Sequence, residues 1–232
     1  MLENSKSIYF IKKLFTFVYE KTKLDIIKYN KNMQNIMDIN LINYKFYSKK
    51  YIVYEKNGKG KEYNGYDDSL KFEGEYLKGK RNGKVKEYNY KGILIFEGEY
   101  LNGKRNGKGK VYYYESKLKY EGEYLNGRRN GKGKKYYKTG ELEFEGEYLK
   151  GEKIKGKEYD YISKLIYEGE YSNGVINGKG KEYDNNDEII FEGEFLNGKR
   201  NGKGKEYDKE GKIIFEGEYL NGKRMDKKEY EN

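Results

Sequence analysis

The chain contains a unit of about 24 residues that occurs seven times in succession. Each unit begins with an aromatic residue, a glutamate and a glycine, and neighbouring units start 23 or 24 residues apart. A unit this short cannot bury a core alone, so the chain is restricted to folds in which units stack on their neighbours. The seven first residues are Phe72, Phe96, Tyr120, Phe144, Tyr167, Phe191 and Phe215.

Turn and strand signals inside the unit predict a β-hairpin. Asn-Gly dipeptides, such as Asn102-Gly103 and Asn106-Gly107, supply the positive φ angles that tight hairpin turns require. Residues 213–219 alternate, which places the aromatic residues on one face and the glutamates on the other, and residues 202–207 form the second strand. We therefore expect a mostly β protein: an elongated, single-layer, twisted antiparallel sheet of tandem hairpins with about fourteen strands.

Aromatic residues supply the apolar surface of this predicted sheet. The chain has 29 Tyr and 10 Phe although 38% of its residues are charged, so we expect an ordered protein with a thin apolar layer. A glycine two positions after the first aromatic residue leaves space in which a ring can lie flat. The predicted structural positions are Phe72, Gly74, Phe96, Gly98, Tyr120, Gly122, Phe144, Gly146, Tyr167, Gly169, Phe191, Gly193, Phe215 and Gly217.

Charged residues are expected to organise the opposite face. Glu97 and Glu99 recur in the other units and lie opposite a strand that carries Lys108 and Lys110. Cross-strand pairs of opposite charge contribute about 0.2–1 kcal/mol each and favour one register over slipped ones. The sequence leaves open whether Tyr207 joins the face of the aromatic rings or that of the lysines.

The repeated unit, seen as FEGEFLNGKRNGKGKEY at residues 191–207, resembles the MORN repeat. A Gly-x-Leu/Ile segment before the aromatic residue makes it similar to the longer YwqK-type variant. The resemblance covers residues 57–232. It implies an elongated antiparallel sheet of hairpins that serves as a scaffold or a membrane-peripheral module and has no catalytic role.

Three departures from the unit stand out. Residues 151–156 are one residue short, residues 174–178 contain Val-Ile in place of Lys-Arg, and Val85 replaces a glycine. We expect a local kink or a partner-specific spot near the first two. The last unit decays into residues 223–230, which we expect to form a charged cap over the open sheet edge.

Residues 1–50 differ from the rest and are expected to form a basic helical head, with the repeat domain spanning 51–232. They contain none of the 30 glycines and carry ten lysines against four acidic residues. Apolar residues at helical spacing predict two helices, at about 6–20 and 23–37. Residues 11–37 are also faintly similar to an F-box, and the alternative is a helix pair that caps the sheet. The head lacks a signal-peptide pattern and a span of 18 apolar residues.

The composition excludes several kinds of chemistry. The chain has no His and no Cys, so imidazole catalysis, thiolate catalysis and Cys/His zinc sites are ruled out. Gly98–Lys104 fits the spacing of a phosphate-binding loop but is followed by arginine where serine or threonine is needed. The glutamate pairs recur in every unit, unlike a single catalytic pair in a cleft. We expect no catalytic, cofactor-binding or metal-binding residue and no enzymatic activity.

Cation pairs that follow the predicted turns are the candidate contact residues. A row of such cations at hairpin tips suits anionic lipid headgroups or an acidic protein, whereas nucleic acid is less favoured and a purely solubilising role is the plain alternative. The predicted contact residues are Lys104, Arg105, Arg128, Arg129, Lys199, Arg200, Lys223 and Arg224.

These features predict a cytoplasmic, non-enzymatic scaffold that binds protein and attaches peripherally to anionic membranes. It would do so through an exposed aromatic face or through its basic hairpin tips. Two alternatives follow from the resemblances: an F-box-like adaptor that presents clients through its repeats, and a YwqK-type antitoxin that neutralises a toxin by direct binding.

Overall fold

A computed structural model describes residues 13, 16, 35, 49–55 and 57–225 of the chain. These residues form sixteen β-strands. The strands are β1 Lys50–Tyr54, β2 Lys59–Asn64, β3 Leu70–Leu77, β4 Lys80–Tyr88, β5 Leu94–Leu101, β6 Lys104–Tyr112, β7 Leu118–Leu125, β8 Arg128–Tyr136, β9 Leu142–Leu149, β10 Glu152–Tyr159, β11 Leu165–Ser172, β12 Val175–Tyr183, β13 Ile189–Leu196, β14 Lys199–Tyr207, β15 Ile213–Leu220 and β16 Lys223–Arg224.

The strands follow one another in chain order within an antiparallel sheet. This confirms the predicted mostly β fold of tandem hairpins. Sixteen strands are two more than seven units supply, because β1 and β2 precede the first unit. The predicted helices at 6–20 and 23–37, and the F-box-like segment 11–37, lie outside the described residues apart from single positions.

The described chain divides into two compact parts, which are larger than the repeat units. The first holds the residues up to Gly74 together with Tyr88–Gly92, and the second holds Glu75–Glu87 and the residues from Ile93 onward. In the first compact part β1 and β2 pair with Tyr51 opposite Tyr63, whose rings stack with centroids 5.2 Å apart. Nearby, Glu62 is almost fully buried and its carboxylate lies 3.4 Å from the Lys50 ammonium.

In the second compact part the two strands of each hairpin are joined by a two-residue turn. Asn102 and Gly103 have φ angles of 51° and 85°, and the flanking residues Leu101 and Lys104 pair across the turn. Two successive positive φ angles are typical of the type I′ turn, whose twist matches that of the strands. The hairpin turn predicted at the first Asn-Gly of the unit is therefore confirmed.

The second Asn-Gly of the unit is not a turn, contrary to the sequence prediction. Gly107 lies inside β6 with a φ of 88°. Gly98 pairs with Gly109 but Tyr100 pairs with Arg105, so one residue of β5 faces three of β6. This is a bulge. Asn-Gly satisfies the backbone of either feature, and only the pairing of the whole strand distinguishes them.

The core is a double row of aromatic rings on one side of the sheet, here called the aromatic face. Phe96 is fully buried. Its ring contacts those of Tyr100 and Tyr124 edge to face, with centroids 6.0 and 5.8 Å apart. The same alternation continues through the later units as far as the contact of Phe215 with Tyr219. Each ring is thus buried by its own unit and by the next.

Paired glycines form the floor beneath these rings. A Cβ atom added to Gly98 or Gly109 would come within 2.8 or 2.7 Å of the Phe96 ring. Both glycines face each other across the strand pair. The prediction that rings lie over glycines is therefore confirmed for this unit. The pattern repeats at Gly122, Gly146, Gly169, Gly193 and Gly217.

The opposite side of the sheet is here called the charged face. It contains the tyrosines equivalent to Tyr207, whose orientation the sequence leaves open. The Tyr112 hydroxyl donates to Glu97 and the Tyr136 hydroxyl donates to Glu121 at 2.7 Å. Tyr207, the corresponding residue of a later unit, lines a cavity with Lys205 and Glu216. These tyrosines therefore join the lysines and glutamates.

The shortened fourth unit keeps its pairing. β10 pairs with β9 and β11, and a bulge between Lys153 and Lys155 absorbs the missing residue. β12 likewise pairs with both neighbours across Val175–Tyr183. Neither departure interrupts the ladder, so the bulge is the part of the unit that tolerates changes in length.

Candidate interaction surface

Successive two-residue turns are tied into a row, here called the turn edge. The N–H of Gly127 donates to the carbonyl of Arg105 in the preceding unit at 2.8 Å. The N–H of Asn126 also donates to Asn106 Oδ1, from the preceding bulge, at 3.4 Å. The bulge therefore holds the next turn in place. Since strands lie about 4.8 Å apart, equivalent turn residues repeat at roughly 10 Å.

The first cation of each predicted pair lies on the turn edge. These residues stand at the beginning of a strand directly after the turn and are exposed. A fixed backbone with free side chains suits a contact surface, because the cations can reach a partner without rearrangement of the sheet. They are Lys104, Arg128, Lys199 and Lys223.

The second cation does not lie at the tip, and here the sequence prediction is wrong. The bulge directs Arg105 onto the aromatic face, where its guanidinium carbon lies 4.0 Å from the centroid of the Phe96 ring. The guanidinium also bonds Glu87 through Nε at 3.1 Å and Nη2 at 3.0 Å. A cation over a ring is attracted by the ring quadrupole, and this attraction is stronger where the pair is partly removed from water. Arg129, Arg200 and Arg224 lie over Tyr120, Phe191 and Phe215 in the same way.

The rings are consequently covered, so the expected exposed aromatic face is also incorrect. Phe96, Tyr120, Phe144 and Phe191 have no exposed surface, and the second ring is at most 8% exposed in every unit from the second onward. Arginine hydrocarbon and guanidinium groups replace solvent above them. What this face presents outward is a row of arginines and glutamates.

The electrostatics of the aromatic face follow from this cover. Hydrogen bonding to the Arg224 guanidinium holds the pKa of Glu206 below its usual value. Burial raises the pKa of Tyr148 to about 12. Burial, reinforced by Glu158, raises the pKa of Tyr171 further. Glu206 is therefore ionised, and Tyr148 and Tyr171 are neutral, at physiological pH.

Exposed leucines accompany the cations of the turn edge, and sequence analysis did not single them out. Each stands directly before a two-residue turn. This position could have identified them in the sequence, since side chains at a hairpin tip project into solvent. Their exposed fractions are between 48% and 57%, which is high for a large apolar residue. They are Leu77, Leu101, Leu125, Leu149, Leu196 and Leu220.

The charged face holds two cavities, of about 430 and 530 Å³, whose walls are mainly lysine, glutamate and glycine. Glu216 and Glu192, which help to line them, lie 3.2 and 3.5 Å from lysine ammonium groups. The predicted cross-strand charge pairing is confirmed at these positions. Carboxylates neutralised in this way are suited to fixing strand register.

Two further properties concern the described residues alone. Within 49–55 and 57–225, no three acidic side chains come together closely enough to hold a metal ion. In the same part of the chain, no helix has the length and apolarity needed to cross a bilayer.

Comparison with known proteins gives one family. The MORN repeat family matches residues 72–84, 96–115, 120–141, 167–188 and 191–212. No curated protein matches the chain. Among solved structures, TarM aligns at a TM-score of 0.30 and 12% identity over 46% of this chain and 22% of that one. A mutant TarM from S. aureus aligns at 0.26 and 11% over 64% and 26%.

The chain thus spans about a quarter of the length of these solved structures. TM-scores this low carry no argument about fold or function. The family match, by contrast, coincides with the hairpins described above, beginning at the aromatic residue of each matched unit. Five segments of this chain are therefore similar to the MORN repeat.

Proposed function

We propose that this protein is a non-enzymatic interaction scaffold that attaches peripherally to anionic phospholipid surfaces through its turn edge. The observation that carries the proposal is the row of half-exposed leucines beside exposed cations, at a spacing fixed by backbone hydrogen bonds between turns. Leucine can enter the acyl boundary while lysine or arginine contacts phosphate.

The strength of such attachment is set by both kinds of side chain. A cation near an anionic leaflet contributes about 1 kcal/mol, so four contribute roughly 4 kcal/mol, which alone corresponds to millimolar binding. Leu101, Leu125 and the equivalent leucines add apolar burial in the interface. Attachment is expected to be reversible and to weaken with salt.

Charge reversal at the turn edge should release the protein from vesicles. The double variant Lys104→Glu/Lys199→Glu is expected to lower the fraction that sediments with phosphatidylserine-containing vesicles by at least about tenfold at low salt, because it replaces two attractive charges with two repulsive ones. Sedimentation with neutral phosphatidylcholine vesicles gives the background.

The matched control is Lys138→Glu/Lys209→Glu, which makes the same change of charge at exposed positions of the opposite turns. This variant should bind almost as the unchanged protein does. Equal loss in both variants would show an effect of net charge alone and would remove the turn edge as the binding surface.

Protein binding is the second candidate, favoured by the outward row of arginines and glutamates on the aromatic face. The row contains bonded pairs such as Arg200 with Glu182 and Glu206. The F-box-like adaptor and the YwqK-type antitoxin remain hypotheses from the sequence. The first rests on residues 11–37, outside the described part, and the second on the repeat variant.

A further inference from the structure

An arginine of the aromatic face can form an ion pair with a glutamate at either of two positions. One position is 18 residues before the arginine in the chain, and the other is six residues after it. Arg200 shows both. Its Nε and Nη2 bond Glu182 at 2.8 and 2.5 Å, and its Nη1 bonds Glu206 at 2.8 Å. Arg105 uses the earlier position, Glu87. The protein therefore displays, inside its own repeat, how this surface binds a carboxylate.

Arg129 occupies the same place in its unit but lacks both carboxylates. The earlier position is Val111 and the later one is Lys135. Its guanidinium carbon lies 4.2 Å from the centroid of the Tyr120 ring. Among the described residues Arg129 forms no ion pair. Lys135, at the later position, forms an ion pair with Glu143.

Tyr148 supplies an independent sign of the same missing group. In two other units the second tyrosine donates its hydroxyl to the carboxylate 13 residues earlier: Tyr100 donates to Glu87, and Tyr171 donates to Glu158 at 3.0 Å. For Tyr148 that position is Lys135. The Tyr148 side chain is only 3% exposed, and its hydroxyl has no hydrogen-bond partner among the described residues. A buried polar atom without a partner costs about 1–3 kcal/mol.

One carboxylate at this point would satisfy both groups. Arg129 lies 5.7 Å from the Tyr148 ring centroid, so a guanidinium and a hydroxyl lie on neighbouring strands as they do around Glu87, which accepts hydrogen bonds from both Arg105 and Tyr100. Charge-assisted bonds of this kind are about twice as strong as neutral ones. Val111 is smaller than glutamate and leaves the earlier position without an anion.

We propose that Arg129 and Tyr148 form a receptor for the side-chain carboxylate of an aspartate or glutamate in a partner protein. The inference rests on the proposed scaffold function and names the chemistry of its protein partner. A protein side chain is the occupant that the structure supports, because glutamate side chains occupy the equivalent places in neighbouring units. The site lies in the middle of the repeat array, on the aromatic face, and it includes none of the turn-edge cations that are proposed to contact the membrane.

The test uses the full chain and a blocked glutamate tripeptide as probe, with the glutamine tripeptide as its control. We expect the Nε–H resonance of Arg129 to shift saturably with the first and not with the second. Tyr148→Phe should weaken binding by about tenfold without lowering the thermal midpoint, because it removes only an unpartnered hydroxyl.

Val111→Glu supplies the missing carboxylate from the chain itself. It is expected to raise the thermal midpoint and to reduce binding of the glutamate tripeptide by at least about tenfold, as an internal Arg129 pair forms. Lys138→Gln, at an exposed turn, is the matched control for loss of charge and should change neither.

Unchanged affinity in both Tyr148→Phe and Val111→Glu would overturn the proposal. Tighter binding of inorganic phosphate than of the tripeptide would overturn the assignment to a carboxylate. Vesicle sedimentation separates this inference from membrane attachment, since Val111→Glu leaves the turn edge intact. Either activity can therefore fail without the other.

Discussion

Replacing Phe144 with alanine is expected to lower the free energy of unfolding by about 3–5 kcal/mol. Phe144 is fully buried, with ring centroids of Tyr148 and Tyr171 at 5.4 and 5.6 Å and the Lys153 ammonium 4.5 Å above its own centroid. Below the ring, a Cβ at Gly156 would lie only 2.6 Å away. Alanine would leave a cavity that this glycine floor cannot fill.

The loss should also divide the repeat array. Each ring contacts its own unit and the next, so Phe144→Ala weakens the interface between two neighbours, and stability in repeat proteins is a sum of such interfaces. Chemical denaturation followed by circular dichroism is expected to show a lower midpoint and a broader or two-step transition.

Leu149→Ala in the same strand is the matched control. Leu149 is 50% exposed and contributes little to the core, so we expect a change below about 1 kcal/mol. Equal destabilisation by the two variants would show that the double row of rings is not the main source of stability.

Alkaline unfolding is the second large effect that we expect. Burial raises the pKa of Tyr148, Tyr120, Tyr167 and Tyr171 above the ordinary value of 10.0. These tyrosines ionise more readily in the unfolded chain, so their stabilisation is complete below pH 10 and is lost as the pH rises through the folded-state values, which begin at about 12 for Tyr148.

Each buried tyrosine contributes up to about 1.4 kcal/mol per pH unit in this range, and four contribute up to about 5.5 kcal/mol per unit. Unfolding should therefore be steep and cooperative above pH 10. Circular dichroism and the ultraviolet absorbance of tyrosinate, recorded together, should show the buried tyrosines ionising only as the sheet is lost.

A single smooth titration of all tyrosines near pH 10, with the sheet intact, would contradict the burial of the aromatic rows.

Much of the fold could be predicted from the sequence because the determining interactions are local. Asn102-Gly103 supplies the two positive φ angles of a turn, and alternation places Phe96 and Gly98 on one face of a strand. Both properties depend on a few neighbouring residues. Cross-strand charge pairing followed from the same alternation.

The candidate surface was only partly predictable. Lys104 and Arg105 are adjacent and chemically similar, yet one is exposed at the turn edge and the other covers a ring. Their difference arises from the bulge at Gly107, whose Asn-Gly signal is identical to that of a turn. The bulge places one residue of β5 opposite three of β6, and this pairing sets the direction of the Arg105 side chain.

The sequence by itself determined the repeat, the antiparallel hairpins and the ring-over-glycine packing, since repetition transmits each local preference unchanged to the next unit. Only the tertiary structure decided which polar groups lack partners. Arg129 and Tyr148 come from different units, and Lys135, the position they share, turns to Glu143 instead. This arrangement depends on three strands at once, because Arg129, Tyr148 and Lys135 meet only after neighbouring hairpins have paired.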